Sequence, residues 1–445
     1  MRRFWTLLLI FMTPLMVLVA NGQRLDDVLA TSANSTFTAA SLSPQGQKIY
    51  LEQRKLIADT RTELLSEMVA HSVLELESRA LNSTTEKLLA AQAAKLARPT
   101  AGEIQKVYVA NTVPPGGRPL AEVREQIVDY LMRDARQKAI STYIQALQRK
   151  YKAAVVRDVN AIGLVAADVI ATIGAKNITL SEFEQAHKVS LNDTEFEIFE
   201  EIRADLEPSI FSALAAEDAK SRNLDTASFI AAEITDKLRL FTDEERRAVE
   251  TALMRQLFTK YNVKILLREP APLVQNILVE ADDPQTGSAS APVTVVMFTD
   301  FQCPACSRTH PELKQALSEY GDKIHFVVRD FPLESIHENA FQAALAANAA
   351  RAQGKFFEYT EILYRNQEAL DRASLVRYAA ELGLNAKQFE LDFSGARAQA
   401  EVRKDQADGR GYGIGGTPAI FVNGVKVHRL SAAAYRRAID RALSK

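Results

Sequence analysis

The two cysteines are the first residues whose type and spacing could do chemistry. They are Cys303 and Cys306, and no other cysteine occurs among the 445 residues. A disulfide framework that holds a fold together needs more cysteines at wider spacing, so an isolated C-x-x-C pair is expected to react. A predicted strand precedes the pair and a predicted helix follows it. Because a helix N-terminus stabilises a thiolate, we expect Cys303 to be the exposed nucleophile and Cys306 to resolve the mixed disulfide.

The two residues between the cysteines bear on the direction of the redox chemistry. Pro304 fits the first turn of a helix, where its missing N–H donor is no loss. Ala305 offers no donor to the nucleophilic thiolate, whereas a histidine there would make the disulfide strongly oxidising. Since about 30 mV of potential corresponds to ~1.4 kcal/mol, small environmental effects decide the direction. Oxidase, isomerase and reductase activities stay open, at a potential less extreme than that of a strong oxidase.

A metal site is the alternative use of the same side chains. Cys303, Cys306 and His310 would supply three ligands, but a structural zinc ion takes four and the chain has no further cysteine. The sequence therefore predicts neither a metal nor a cofactor, and it contains no nucleophile elbow, P-loop or dinucleotide fingerprint. We expect His310 to pack on the active-site helix or lie at its surface. His337, between a loop and a helix, is expected to cap that helix or line the rim of the site.

The pattern around the cysteine pair alternates strands and helices, which predicts an α/β domain over residues 293–445. Its predicted elements are buried strands at 293–298 and 323–328, helices over about 336–410, a hairpin at 419–428 and a terminal helix at about 431–443. Asn423-Gly424 gives the hairpin a type I′ turn signal. Loop-forming residues mark 269–292 as a linker that also holds a first strand, expected at 274–279.

The chain before the linker is mainly helical and shows weak internal repetition. The matching segments are 27–31 with 168–172, 78–82 with 221–225, and 150–151 with 260–261. The first two matches have nearly the same offset in numbering, and the third has a shorter one. The first copy therefore holds an extra segment that the second lacks, which fits the stretch near 99–125 that Pro and Gly interrupt. We predict a duplication, with copy 1 at 24–158 and copy 2 at 165–268.

Length and charge bound the class of protein. A chain of 445 residues predicts two or three domains, and 47% hydrophobic with 25% charged residues is ordinary for globular proteins. A formal net charge of −2 gives no electrostatic reason for binding nucleic acid, whose recognition starts from a basic face. We exclude nucleic acid as a partner, and the oligomeric state stays open.

The segment 1–22 has the pattern of an export signal. Arg2 and Arg3 precede an almost wholly apolar run over 4–20, and Ala20 or Gly22 offers a small residue at a cleavage site. An uncleaved inner-membrane anchor is the alternative, since the apolar run reaches the lower limit of a membrane span. Either way, the pattern predicts a periplasmic or cell-envelope protein.

Residues from about 272 to 445 resemble the thioredoxin superfamily, in particular its DsbA-like branch with a helical insertion. The segments that carry the resemblance are 291–294, 298–306, 328–333, 354–356, 381–384 and 416–424. The resemblance implies a thiol–disulfide oxidoreductase fold and activity. It also implies that the Thr417–Pro418 peptide bond is cis, with Thr417 facing the redox pair and pairing with the extended chain of a client.

One position departs from the pattern of this family. Six residues before the nucleophile, these proteins usually carry a buried carboxylate that helps to move the proton of the resolving thiol, but this chain has Met297. Asp300, three residues before Cys303, is the candidate substitute. Pro311, eight residues after Cys303, is expected to kink the active-site helix.

Residues from about 24 to 268 resemble the N-terminal substrate-binding domain of periplasmic folding factors of the SurA, PpiD and PrsA type. The segments that carry this resemblance are 75–82, 101–104, 107–108, 117–123, 170–174 and 178–183. It implies a chaperone-like region that binds clients. The parvulin isomerase domain of those proteins has no room in the short insert and is not expected. Helical domains for oligomerisation or spacing are the alternative.

The sequence therefore predicts a multidomain protein: a mainly α, duplicated N-terminal region followed by an α/β thioredoxin fold with a helical insertion. The predicted function is envelope thiol–disulfide exchange on unfolded or thiol-containing client proteins through Cys303 and Cys306. A membrane or soluble redox partner would reset the pair. The alternatives are a holdase or assembly chaperone with incidental thiols, and a reductase dedicated to one partner protein.

Overall fold

The computed structural model describes residues 23–111 and 119–444. The predicted export signal lies outside the described residues, as do residues 112–118 of the first copy's insert. Two compact units divide the chain, and each combines two separate segments. Their described parts are residues 23–54 with 196–270, and residues 55–195 with 271–444. No helix within the described ranges is both long enough and apolar enough to cross a membrane.

In the described chain up to residue 265, groups of short strands alternate with groups of α-helices. The strands are β1 (Val28–Thr31), β2 (Thr36–Thr38), β3 (Ala153–Val155), β4 (Val169–Ile173), β5 (Lys176–Thr179) and β6 (Lys264–Ile265). The α-helices are α1 (Pro44–Ala80), α2 (Thr85–Ala93), α3 (Ala101–Asn111), α4 (Leu120–Lys150), α5 (Leu180–Ala186), α6 (Lys188–Ser221), α7 (Thr226–Glu233) and α8 (Asp243–Lys260). The mainly helical character predicted for this region is confirmed.

Two three-stranded sheets in this region share one hydrogen-bonding register. The first has the order β2-β1-β6 and the second the order β3-β4-β5. Ala30 pairs with Phe37 next to a bulge in the first sheet, and Ala171 pairs with Ile178 next to a bulge in the second. The second pair follows the first along the chain by the same number of residues that separates the first two matching segments, 27–31 and 168–172. In the first sheet, β1 and β2 come from predicted copy 1 and β6 comes from copy 2. In the second sheet, β4 and β5 come from copy 2 and β3 comes from copy 1. The compact units therefore do not coincide with the predicted segments 24–158 and 165–268.

One carboxylate anchors a lysine–tyrosine pair beside each of these sheets. Glu77 accepts hydrogen bonds from Lys150-Tyr151, with the tyrosine hydroxyl at 2.7 Å. Asp218 accepts them from Lys260-Tyr261, with the tyrosine hydroxyl at 2.9 Å. Glu77 and Asp218 are separated along the chain by the same number of residues as Ala30 and Ala171.

A five-stranded mixed sheet forms the centre of the C-terminal domain. The strands are β7 (Gln285–Gly287), β8 (Val293–Thr299), β9 (Ile324–Asp330), β10 (Ala419–Val422) and β11 (Val425–Lys426). Their order is β11-β10-β8-β9-β7, with β8 and β9 parallel and the other pairs antiparallel. β8 is buried on both faces, because Met297 lies in one core cluster and Phe298 in the other. Such double burial is typical of a central parallel strand.

The strand expected at 274–279 was wrong. Those residues make one isolated bridge, Val274 to Val425, and the edge strand is β7 instead. The apolar pattern has another cause, since Ile277 and Val279 pack against the core while the backbone N–H of Leu278 donates to the Tyr412 hydroxyl (3.0 Å).

Helices cover the sheet of the C-terminal domain. They are α9 (Pro304–Ser318), α10 (Ala340–Arg351), α11 (Phe356–Arg365), α12 (Arg372–Glu381), α13 (Ala386–Phe393), α14 (Ala396–Gly411) and α15 (Ala432–Leu443). The insertion predicted at about 336–410 corresponds to α10 to α14, between β9 and β10. Pro311 lies inside α9, which continues beyond it to Ser318.

Candidate redox site

The end of β8 and the start of α9 bring the two cysteines into position. Cys303 is the N-cap residue of α9, and Pro304 occupies the first turn, where no N–H donor is required. Both thiols are free. Cys303 is 7% exposed and Cys306 is fully buried. The expectation of an exposed nucleophile was therefore too strong, because neighbouring chain segments cover most of Cys303.

The two thiols have pKa values shifted in opposite directions. The hydrogen bond from Cys306 is the largest influence on Cys303, and with the backbone N–H groups at the helix start it lowers the pKa of Cys303 to about 5. Burial raises the pKa of Cys306 well above its ordinary value, and the neighbouring Cys303 raises it further. At neutral pH, Cys303 is therefore a thiolate and Cys306 a thiol. Dithiol exchange requires this combination of one ionised, nucleophilic sulfur and one protonated sulfur.

The segment before β10 places Thr417 and Pro418 against the nucleophile. β10 pairs with β8, and Ala419 lies opposite Phe298 near the end of β8. The segment just before β10, which holds Thr417 and Pro418, therefore lies at the end of β8. The Thr417–Pro418 peptide bond is cis, as the resemblance implies. The carbonyl oxygen of Thr417 lies 3.4 Å from the Cys303 sulfur. The structure thus joins two predicted site residues to the redox pair from a distant part of the chain.

Asp300 does not offer its carboxylate to the resolving thiol. Its side chain accepts hydrogen bonds from the backbone N–H groups of Gln302 (2.7 Å) and Leu333 (2.8 Å) and from His337 Nδ1 (2.7 Å). Its contact with Cys306 is made through the backbone N–H. Asp300 and His337 therefore hold the segment after β9 beside the site, and the idea that Asp300 replaces the missing carboxylate was wrong.

Three residues near the thiols were missed by the sequence reasoning. Thr299 Oγ1 and the Tyr364 hydroxyl lie 2.6 Å apart, both buried. The side-chain amide of Gln367 donates to the carbonyl oxygen of Cys303 (2.8 Å). The only available signal was that Thr299 directly ends the strand before the cysteine motif. Tyr364 and Gln367 come from the helical insertion, and nothing in their local pattern indicates the contact.

His310 packs inside the domain, as expected. Its ring lies 4.8 Å from that of Tyr364, and Nε2 is 3.1 Å from Glu361. Burial lowers the pKa of His310. In the described part of the chain, no group of three or more His, Cys, Asp or Glu side chains could hold a metal ion.

Comparison with known proteins places this site in a thioredoxin-like domain. A family model described as thioredoxin matches residues 280–441. The chain is 36% identical over 181 residues to a Na(+)/H(+) antiporter NhaA 1 of Mycolicibacterium gilvum, covering 39% of this chain and 29% of that protein. It is 37% identical over 142 residues to NhaA 3 of Salinispora tropica, covering 32% and 22%. The chain thus spans less than a third of the length of these relatives.

Solved structures also match part of the chain. A thioredoxin-like oxidoreductase from Silicibacter pomeroyi matches with 28% identity and a TM-score of 0.35, over 37% of this chain and 95% of that one. Oxidised BdbD from Bacillus subtilis matches with 21% identity and a TM-score of 0.33, over 37% and 94%. By the family match and the observed sheet, residues 280–441 are a thioredoxin-like domain at the C-terminal end of a mainly helical chain.

Proposed function

We propose that the protein is a thiol–disulfide oxidoreductase that acts on protein clients through Cys303 and Cys306. The observation that carries the proposal is the pair of thiols at one helix start, one with a lowered and one with a raised pKa. The Thr417 carbonyl beside Cys303 adds a main-chain acceptor for the extended backbone of a client. The match of residues 280–441 to a thioredoxin family agrees with this chemistry.

The exchange follows from the two protonation states. In the reducing direction, the Cys303 thiolate attacks a client disulfide, forms a mixed disulfide and releases one client thiolate. Cys306 then attacks Cys303 Sγ, which forms the Cys303–Cys306 bond and releases the second client thiol. The oxidising direction runs through the same mixed disulfide in reverse. In either case a membrane or soluble redox partner resets the pair.

We further propose that the helical region is a duplicated, client-binding region of the chaperone type. The shared register of the two sheets and their matching carboxylate anchors support duplication. The N-terminal end of α6 packs on the redox domain, which supports delivery of clients to the site. There Asp193 pairs with Lys426 and accepts a hydrogen bond from His428 (2.9 Å), and Val189 packs against Gly413, four residues before Thr417.

The predicted export signal supports a location in the cell envelope, where disulfide chemistry is possible. A holdase with incidental thiols and a reductase for one partner are the competing functions. If the protein is a holdase, its thiols are not needed for its activity. If it is a reductase for one partner, only that partner protein reacts with the thiols.

The test uses the full chain and two single variants. A reduced, unfolded protein with several cysteines is incubated with the oxidised protein, and client thiols are counted over time. We expect Cys303→Ser to abolish exchange. Cys306→Ser cannot form the intramolecular disulfide, so this variant is mixed instead with the same client carrying its disulfides, and we expect it to accumulate a stable mixed disulfide with that client. Unchanged exchange in Cys303→Ser would refute the proposal.

A second measurement separates the helical region from the thiols. Aggregation of a cysteine-free unfolded client is followed with and without the protein. We expect the wild type and Cys303→Ser to suppress aggregation equally. If neither suppresses it, the client-binding role of the helical region is wrong while the redox proposal stands.

A further inference from the structure

The resolving step poses a problem that the two cysteines do not solve alone. Cys306 is fully buried, and so is Met297 on β8. Asp300 directs its carboxylate to backbone amides and His337. When Cys306 becomes a thiolate, its charge therefore develops in a buried site. The backbone N–H of Asp300 is one donor there, and a buried anion is costly unless further donors stabilise it.

Two buried hydroxyls stand next to this thiol. Thr299 is 1% exposed and ends β8, and its hydroxyl hydrogen-bonds with Cys306. Thr299 Oγ1 also lies 2.6 Å from the hydroxyl of Tyr364. Tyr364 is held in place by ring contacts with Phe301 (5.4 Å) and His310 (4.8 Å). The hydrogen-bonded chain therefore runs from Cys306 through Thr299 to Tyr364.

The direction of the hydrogen bonds follows from the number of hydrogens. Each hydroxyl has one hydrogen to donate. Burial raises the pKa of Tyr364, so its phenol keeps the proton at neutral pH. If Tyr364 donates to Thr299 Oγ1, the Thr299 hydrogen is left to point at Cys306 Sγ. A thiolate needs such a donor, and a neutral thiol gains less from it.

Building on the proposed function, we propose that Thr299 is a catalytic residue for the resolving step and that Tyr364 is its positioning residue. In that step the Cys306 proton passes to the departing client sulfur. A bond forms between Cys306 Sγ and Cys303 Sγ, and the bond between Cys303 Sγ and the client sulfur breaks. Two electrons stay within the disulfide exchange, so no further oxidant or reductant takes part. The Thr299 hydroxyl stabilises the Cys306 sulfur while it carries negative charge.

The experiment separates the two chemical steps in the full chain. Reduced protein is mixed with one equivalent of a small aromatic disulfide whose released thiolate is coloured. The first release reports attack by Cys303, and the second reports resolution by Cys306. We expect Tyr364→Phe and Thr299→Val to slow the second release about tenfold at pH 7, the effect of losing one hydrogen bond to a charged group. Their pH profile for the second release should move up by about one unit, and the first release should keep its rate.

Two further variants distinguish this role from packing. Thr299→Ser keeps a hydroxyl and should restore the second release. Tyr359→Phe removes another buried hydroxyl of α11, one that donates to the Leu375 carbonyl (2.8 Å), and should leave both releases unchanged. The proposal fails if Thr299→Val and Tyr364→Phe keep the wild-type rate and pH profile, or if Tyr359→Phe slows the second release as much. Failure of the proposed function is distinguishable, because Cys303→Ser would then still produce the first release.

Discussion

The redox domain and the helical region before it differ in the protonation state of particular buried carboxyl groups. In the helical region, the hydrogen bond from Lys150 lowers the pKa of Glu77, and the bonds from Lys260 and Tyr261 outweigh burial to lower that of Asp218. In the redox domain, burial and the neighbouring Asp405 raise the pKa of Asp330 to about 8. Glu77 and Asp218 are thus buried anions, whereas Asp330 holds a buried proton.

This difference predicts opposite responses to pH. A carboxylate whose pKa is lowered by folding adds stability above its unfolded pKa of about 4, and that stability is lost as the pH falls through the folded value. A carboxylate whose pKa is raised adds stability below about pH 4, which is lost as the pH rises through the folded value. Acid should therefore weaken the sheets that Glu77 and Asp218 anchor, and alkali should weaken the packing around Asp330.

The largest effect should come from removing a buried cation of the redox domain. The side chain of Arg329 is fully buried and donates to Asp405 (2.6 Å), Asp408 (2.7 Å) and the carbonyl of Leu278 (2.9 Å). Arg329→Met leaves buried carboxylates unpaired, so we expect a loss of about 3–5 kcal/mol in the free energy of unfolding. Labelling of the Cys306 thiol during urea unfolding reports unfolding around the redox site.

A matched surface variant controls that measurement. Lys355 pairs with Glu358 while about half exposed, so Lys355→Met should cost less than about 1 kcal/mol. If the two variants destabilise the domain equally, the buried network does not have the role given to it here.

A smaller effect should follow from the two carboxylate anchors of the helical region. Asp218→Asn and Glu77→Gln keep the size of the side chain and remove its charge, so we expect losses of about 1–3 kcal/mol. The Asp218 variant should lose more, because that side chain is fully buried and Glu77 is 9% exposed. Amide hydrogen exchange should rise in β1 for Asp218→Asn and in β4 for Glu77→Gln. Faster exchange in β9 and not in these strands would contradict the anchoring role of the two carboxylates.

Asp330→Asn tests the buried proton of the redox domain. The amide mimics the protonated carboxyl and can still accept the hydrogen bond from Asn348 (2.6 Å in the native structure). We expect a gain of about 1–2 kcal/mol at pH 9 and little change at pH 4, because the native domain must retain a proton that the unfolded chain releases. Urea unfolding across this pH range measures it. A loss of stability at pH 9 would show that the charged form is the favoured one.

The smallest effect concerns the redox site, where hydrogen bonds, and not carboxylates, set the pKa of the group of interest, Cys303. Thr417 helps to lower the pKa of Cys303. Thr417→Val should raise that pKa by less than about one unit, while Thr417→Ser should leave it near 5. The rate of Cys303 alkylation against pH measures both. A pKa unchanged in Thr417→Val would leave the other hydrogen bonds to Cys303 as the whole cause.

The sequence predicted those features whose cause is local or whose motif is shared with a known family. A C-x-x-C after a buried strand places Cys303 at a helix start, and Asn423-Gly424 turns the hairpin with φ values of 45° and 77°. The contact between Thr299 and Tyr364 could not be predicted, because it joins a strand end to a helix of the distant insertion. The carboxylate role given to Asp300 failed for a related reason, since its partner His337 comes from a distant loop.

The exchanged strands of the helical region have a consequence for how this chain folds. Ala30 in β1 pairs with Ile265 in β6, so the first sheet includes a contact between residues far apart in the sequence, and such contacts form slowly. A chain cut between residues 158 and 165 would yield two fragments, each with hairpin or strand edges lacking a partner. We expect neither fragment to be stable alone and the two to complement each other on mixing.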